Sequence, residues 1–258
     1  MARDDPQFSL RLATDPLDRM GAERLRYRVF VDELGGDGPL VDHDARRERD
    51  RFDAFADHMI LVDNRREAGE GEHVIGAYRL LRAEQAAQAG QFYSEDEYDL
   101  APLLATGRPL LELGRSCVHP DFRGGASMHL LWNGLTAYVL EHGVELLFGV
   151  ASFHGTDVDA LALPLSYLYH HHLAPPNLRA RARPEVYQRM DLIPADRIER
   201  VAAMRATPAL IKAYLRLGGF VGDGAFVDHA FNTTDVFLAM DTHAMNERAR
   251  AQLTARVG

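Results

Sequence analysis

The 258-residue chain has a single cysteine, Cys117, so no internal disulfide can form and no multi-cysteine metal site exists. That fits a reducing compartment. No apolar run approaches the length that spans a bilayer, and the opening residues, MARDDPQFSLRLATDP, carry no apolar h-region. Both absences predict a cytosolic chain. A surplus of positive charge is missing too: the formal charge is −9, which argues against nucleic acid as a partner. Internal repeats and low-complexity tracts are also absent, which excludes solenoid architectures. What remains is 47% hydrophobic and 26% charged, the balance of a soluble globular protein of enzyme size.

The chain is organised around Leu110 to Leu131, LLELGRSCVHPDFRGGASMHLL. It reads as an apolar strand bearing one glutamate and one arginine, then a glycine-bearing turn, then the start of an amphipathic helix. That order presents backbone N–H groups to a phosphate or a developing oxyanion.

Before it, Phe8 to Ala13 alternates as a half-buried strand, and Thr14-Asp15-Pro16 turns into a helix over Leu17 to Leu34. Met20, Leu25, Val29 and Phe30 trace its apolar face, with Arg24, Arg26 and Arg28 expected on other sides. DARRERDR, Asp44 to Arg51, sets four arginines against three acids and reads as a solvated segment. Strands follow at Met59 to Asp63 and Val74 to Leu81, then a short helix at Ala83 to Ala89 and a polar connection from Phe92 to Leu104. After the central stretch come a helix through His142, a strand over Val144 to Ser152 and a helix over Asp157 to Leu173. Residues 174–206, rich in Pro and Arg, read as an insertion on a sheet edge. A helix over Pro208 to Leu217 and strands at Ala225 to Ala230 and Asp235 to Met240 close the chain.

This order of elements resembles the GNAT superfamily of N-acyltransferases. LRYRVFVDELG (25–35), RFDAF with His58 (51–58), IGAYRLL (75–81) and ELGRSCVHPDFR (112–123) look like the branch that takes acyl groups from acyl carrier protein. ALIKAYLRLGGFVGDGAFVDHAFNTTDVF (209–237) is similar to the L-ornithine N-alpha-acyltransferases, which make lyso-ornithine lipid. Acyl-homoserine-lactone synthases share the first pieces but not this tail. The resemblance implies one α/β domain over 1–258, with a mixed, mostly antiparallel central sheet flanked by helices. It implies no resident cofactor, the phosphopantetheine of an acyl-acyl carrier protein as donor arm, and L-ornithine as acceptor. An amphiphilic product would bring the enzyme into peripheral contact with the inner membrane surface. Two alternatives are another carrier-dependent acyl transfer, such as homoserine-lactone synthesis, and a non-catalytic carrier-binding regulator.

Acyl transfer to an amine needs a base, donors for the tetrahedral oxyanion, and a proton for the leaving thiolate. Glu112 is the expected base, because an apolar strand raises a carboxyl's proton affinity. In a regular strand Glu112 and Arg115 face opposite ways, so pairing them would need a bulge, at Gly114 for instance. Main-chain N–H groups from Ser116 to Val118 are the expected oxyanion donors, and Tyr167 or Tyr169 the expected proton source. Cys117 reads as a small buried hydrophobe rather than a nucleophile.

For the amino acid, Arg79 is the first candidate carboxylate clamp and Arg115 the second, with Glu33, Asp53 and Asp228 as candidates for the cationic end. Related enzymes that use coenzyme A carry Arg or Gln, two residues, Gly, one residue, then Gly or Ala. Here Arg123, Gly124 and Gly125 are followed by Ala126 and Met128 in the two small-residue positions. The bulk of Met128 weakens a pyrophosphate cradle and favours the single phosphodiester of a carrier arm. Arg24, Arg123, Arg179, Arg181 and Arg183 are candidates for docking an acidic carrier. His170-His171-His172 cannot converge on one metal ion from consecutive helical positions.

Overall fold

The structure, a computed structural model, describes residues 7–124 and 126–243. The chain divides into two compact units. One takes the described residues up to Gly90 together with Leu113–Gly143, and the other takes Gln91–Glu112 and the described residues from Val144 onward.

In the first unit β1 (Phe8–Leu12), β2 (Asp57–Asp63) and β3 (Val74–Arg82) form an antiparallel meander. Helix α1 (Pro16–Arg26) starts where the sequence predicts it: the Asp15 carboxylate accepts the Asp18 N–H at 2.9 Å and Pro16 occupies the first turn. The predicted helix continues to Glu33, but Tyr27–Glu33 is wound as a π-helix, which periodicity alone does not reveal. Arg26 does not project away from the apolar face. It is 1% exposed and shares the buried stripe with Ala22, Leu25 and Val29, at the i+3 and i+4 spacings that one face collects. Helix α2 (Ala83–Ala89) follows β3 as predicted.

The strand β5 (Leu110–Val118) runs across the boundary between the units, Leu110–Glu112 in the second and Leu113–Val118 in the first. Helix α4 (Ala126–Glu141) follows in the first unit, where its Gly134 lies against Leu10 and Met59.

The predicted polar connection of the second unit is more structured than its composition suggests. It holds a 3-10 turn at Tyr93–Asp96, β4 (Tyr98–Asp99) and α3 (Ala101–Leu104). Its main strands are β6 (Leu146–His154), parallel to β5, then β9 (Thr233–Asp241) and β8 (Phe220–Asp228), both antiparallel. The 174–206 segment does lie on a sheet edge: β7 (Arg181–Ala182) pairs with β8 on one side and β4 on the other. Helices α5 (Ala162–His172), α6 (Arg200–Ala206) and α7 (Ala209–Arg216) complete the unit.

Strand β8 begins five residues before the sequence suggests, because its glycines serve a bulge and not a break. Register shifts between Val221 and Ala225, and Gly224 takes φ 89°. The buried Tyr98 hydroxyl donates into this bulge, to the carbonyls of Gly224 at 3.2 Å and Asp235 at 3.0 Å. The Tyr98 ring packs on Phe237, and Phe237 on Phe148.

Candidate active site

Glu112 is buried in β5 between Leu111 and Leu113. The parallel ladder sets it opposite Phe148, so the two side chains share a sheet face. The Tyr93–Asp96 turn closes over the carboxylate. One oxygen accepts the Tyr93 N–H at 2.7 Å; the other accepts the Ser94 N–H at 2.7 Å and the Ser94 hydroxyl. Phe92 anchors the turn, its ring edge-on to Phe148 at 5.0 Å. The expected burial is present, and so is a set of donors that the sequence reading missed. These donors fix the direction of the Glu112 oxygens, and any proton the carboxylate accepts shares it with this turn.

The first unit contains a buried ion network. Arg26 donates to both carboxylate oxygens of Asp53, at 2.7 and 2.9 Å, and through Nε to Glu48. Arg79 donates to Asp50 and, at 3.3 Å, to Asp53. Arg115 reaches Glu48 at 3.2 Å and Asp50 at 3.0 Å. Three guanidiniums therefore balance three carboxylates, so buried charges are matched. Burial pushes the Asp53 carboxyl up, but Arg26 and Arg79 outweigh it and hold the group well below the usual carboxylate range. Glu48 is held low in the same way by Arg115 and Arg26, and Asp50 by Arg79 and Arg115. His58, hydrogen-bonded to the Asp53 carbonyl at 3.0 Å, is pushed down by burial and by Arg26 and Arg79.

The network corrects the reading of Asp44 to Arg51 as a solvated segment. Glu48 is 1% exposed and bonded to arginines far away in sequence, and the local charge sum of the run carries no trace of that. It also brings together three of the predicted substrate residues, Asp53, Arg79 and Arg115, and adds Arg26, Glu48 and Asp50. A detectable signal existed for Arg26, an arginine spaced onto an apolar stripe. At its open edge lie Arg115, whose side chain is 14% exposed, and Asp50, at 19%; the Arg79 side chain is only 3% exposed. Arg115 has φ 50°, a left-handed conformation inside a strand, next to Gly114, the position where a bulge would be needed for Arg115 to pair with Glu112.

Glu33 and Arg123, assigned by sequence to different ligands, hold each other. Arg123 donates through both terminal nitrogens to both Glu33 oxygens, each at 2.6 Å, and through Nε to the Val118 carbonyl at 3.1 Å. The hydrogen bond to Arg123 keeps the Glu33 carboxyl low, against a smaller effect of burial. Gly124 takes φ 80° just before α4. Gly125 lies outside the described residues.

Ser116 is half-buried and Val118 buried. Asp228 accepts the N–H groups of Ala230 and Phe231, a turn role instead of a free acid for an ammonium. Arg24 donates to the Glu70 carboxylate and carbonyl, both at 2.7 Å. Tyr167 is buried on α5 with its ring against His171 and His172, while Tyr169 is half-buried. Arg181 and Arg183 are exposed and alternate with the buried Ala180 and Ala182, the shared side that an extended chain gives. Arg181 pairs with Asp223, Arg183 donates to the Glu95 carbonyl at 2.6 Å, and the half-buried Arg179 to the Ala174 carbonyl at 2.8 Å. Burial pushes the Cys117 thiol up to about 12, which disfavours the thiolate form. Among the described residues no helix is long and apolar enough to cross a membrane.

Comparison with known proteins gives this geometry a family. A family described as Acetyltransferase (GNAT) domain matches residues 25–133. An L-ornithine N(alpha)-acyltransferase of Rhodobacter capsulatus is 59% identical over 257 residues, covering 100% of this chain and 98% of the relative. Another, of Brucella abortus, is 43% identical, covering 93% and 86%. In fold the chain is similar to the solved structure of an N-acyl amino acid synthase from uncultured soil microbes. That likeness has a TM-score of 0.52 at 14% identity and covers 96% of this chain and 95% of that one. The chain is an acyltransferase of GNAT-like α/β fold, and it belongs to the L-ornithine N(alpha)-acyltransferase family.

Proposed function

We propose that the protein moves a 3-hydroxyacyl group from acyl carrier protein to the α-amine of L-ornithine, giving lyso-ornithine lipid. The observation that carries this reading is the 59% identity, sustained along the whole chain, to a relative named for ornithine acylation. In the proposed reaction the neutral α-amine attacks the thioester carbonyl. The new C–N bond forms as the carbonyl π electrons move onto oxygen, where main-chain N–H groups of the Ser116–Val118 stretch stabilise the charge. Glu112 takes the amine proton, and the C–S bond breaks as Tyr167 or Tyr169 supplies a proton to the thiolate. The open edge of the ion network suits a zwitterion, with Arg115 offered to the α-carboxylate ahead of the more buried Arg79.

No resident cofactor takes part in this scheme; the phosphopantetheine arm arrives with the carrier. Arg179, Arg181 and Arg183, with Arg24 and Arg123, offer positive charge to an acidic carrier, and a peripheral encounter with the membrane surface would suit an amphiphilic product. The test is thiol release from 3-hydroxyacyl carrier protein, with and without L-ornithine, and mass analysis of the product. Release that needs ornithine and yields N-acylornithine is the expected result. Release indifferent to ornithine, or an acylated product without it, would overturn the reading.

A further inference from the structure

Residues 196–217, the stretch that holds α6 and α7, carry five cations against two acids, a charge of +3 in a chain that is −9 overall. Neither acid pairs with a cation. Glu199 caps α6 instead, accepting the N–H groups of Val201 and Ala202 at 3.1 and 2.7 Å. Among the described residues, none of Arg197, Arg200, Arg205, Lys212 and Arg216 has a carboxylate within ion-pair distance. By contrast the exposed Arg181 and Arg189 of the same unit each meet an aspartate. The nearby end of α5 brings histidines and no acid; burial, His171 and Arg200 all push His172 down. The two helices turn their cations outward. Helix α6 buries Ala203 and α7 buries Ile211 and Tyr214, which leaves Arg200, Val201 and Arg205 on the exposed side of one, and Lys212 and Arg216, one turn apart, on the outer side of the other. Val201 is 64% exposed, more than any other large hydrophobic side chain described.

We propose that the α6–α7 stretch is the face by which the protein rests on an anionic lipid surface, with the arginines and Lys212 at the headgroups and Val201 at the acyl boundary. Charge complementarity carries the choice of occupant. A locally positive stretch on an acidic chain sets the orientation, since the rest of the molecule is repelled by the same lipids. The cations are spread along two helices instead of gathered into one fork, which suits a sheet of headgroups more than a single bound anion. An exposed aliphatic side chain between two arginines adds the apolar contact that interfacial helices make. This deepens the membrane encounter of the proposed function and rests on that reading for its purpose, the release of an amphiphilic product into lipid.

The test is cosedimentation of the protein, without substrate, with phosphatidylglycerol–phosphatidylcholine vesicles and with pure phosphatidylcholine vesicles. The natural protein should bind the anionic vesicles and not the neutral ones, and salt should release it. Arg200→Gln with Arg205→Gln should weaken that binding about 25-fold, about fivefold for each basic side chain near an anionic surface. Val201→Ser should weaken it without changing its salt dependence. Lys212 is the chain's one lysine, so an amine-acylating reagent reads the face on the natural protein with no substitution. Anionic vesicles should shield Lys212, and neutral ones should not. Binding that ignores vesicle charge, or that the double variant leaves unchanged, would overturn the proposal. So would a Lys212 shielded by acyl carrier protein and not by anionic vesicles, which gives the face to the carrier. None of these readings needs acyl transfer, so failure of ornithine-dependent thiol release would sink the proposed function and leave the vesicle result standing.

Discussion

Arg26 and Asp53 meet fork to fork, both guanidinium nitrogens on both carboxylate oxygens, with the guanidinium 1% exposed. A pair this deep is costly to break from one side, because the survivor is left as an unmatched buried charge. Arg26→Met should therefore destabilise the protein by about 3–5 kcal/mol, measured by urea unfolding. A loss under about 1 kcal/mol, the worth of a surface pair, would contradict the burial described above.

The network also fixes a pH response. His58 is lowered in the fold, by burial first, so the unfolded chain binds its proton more readily, and stability starts to fall as pH drops below about 6.5. Glu48, Asp50 and Asp53 are held low by arginines despite their burial. Their contribution is fully present above the ordinary carboxylate range near pH 4 and is lost as pH falls from there through their depressed folded values. Melting temperature against pH should thus decline gently below about 6.5 and steeply below about 4. A profile that rises on acidification would refute the assignment.

Glu112 combines a proposed chemical role with a structural one. Removing it in Glu112→Ala leaves the Tyr93 and Ser94 N–H groups short of an acceptor, at a cost of about 1–3 kcal/mol. Ser94→Ala removes one of the donors and spares the carboxylate. If Glu112 is the base, turnover per folded molecule should fall about 10²–10⁴-fold in the first variant and far less in the second, with the pH profile of kcat/KM flattened only in the first.

Cys117 should be inert. Its thiol is buried and pushed up to about 12, so an aromatic disulfide reagent should leave the folded protein unmodified and fully active, and react once denaturant is added. Inactivation of the folded protein by the reagent would reopen covalent catalysis.

Arg181→Glu with Arg183→Glu reverses charge on the exposed side of the 174–206 segment. The expected effect is a higher KM for acyl carrier protein with a weaker dependence on salt, and little change in kcat. An unchanged KM for the carrier would remove this face from the docking proposal.

Gly71 takes φ 78°, and a Cβ there would lie 2.6 Å from the Gly21 Cα. Gly71→Ala meets both a backbone it cannot displace and a dihedral it disfavours, so a loss of about 1–3 kcal/mol is expected in thermal or urea unfolding.

Much of the fold was legible because the strands and helices keep their periods. Val74 to Leu81, Ala83 to Ala89 and the Asp15-Pro16 helix start fall within a residue or so of where pattern and caps put them. The π-helix was not, since Tyr27 to Glu33 carries the same apolar spacing that an α-helix would. Nor was the start of β8, five residues ahead of the expected Ala225, where Gly222 and Gly224 lie in a bulge that receives Tyr98. The candidate site divides along the same line. Glu112 and Arg79 stand out as charges inside apolar runs, a local signal. Glu48 and Asp50 lie in a run whose charges cancel locally, and their meaning resides in arginines at positions 26, 79 and 115, which only the fold brings near.

The DARRERDR run has a final consequence. With Arg46, Arg47, Arg49 and Arg51 it looks like an open invitation to trypsin, and three of the four side chains are exposed. Its backbone, however, is pinned: Asp42 and Arg47 exchange both main-chain hydrogen bonds, the Glu48 N–H donates to the Glu23 carbonyl at 3.1 Å, and Glu48 is locked to Arg26 and Arg115. A protease must straighten several residues to cut between them, and straightening these would expose Glu48 and take one counter-charge from each of Arg26 and Arg115. The most cleavable-looking stretch of the chain should therefore stay intact under limited digestion until the first unit opens as a whole.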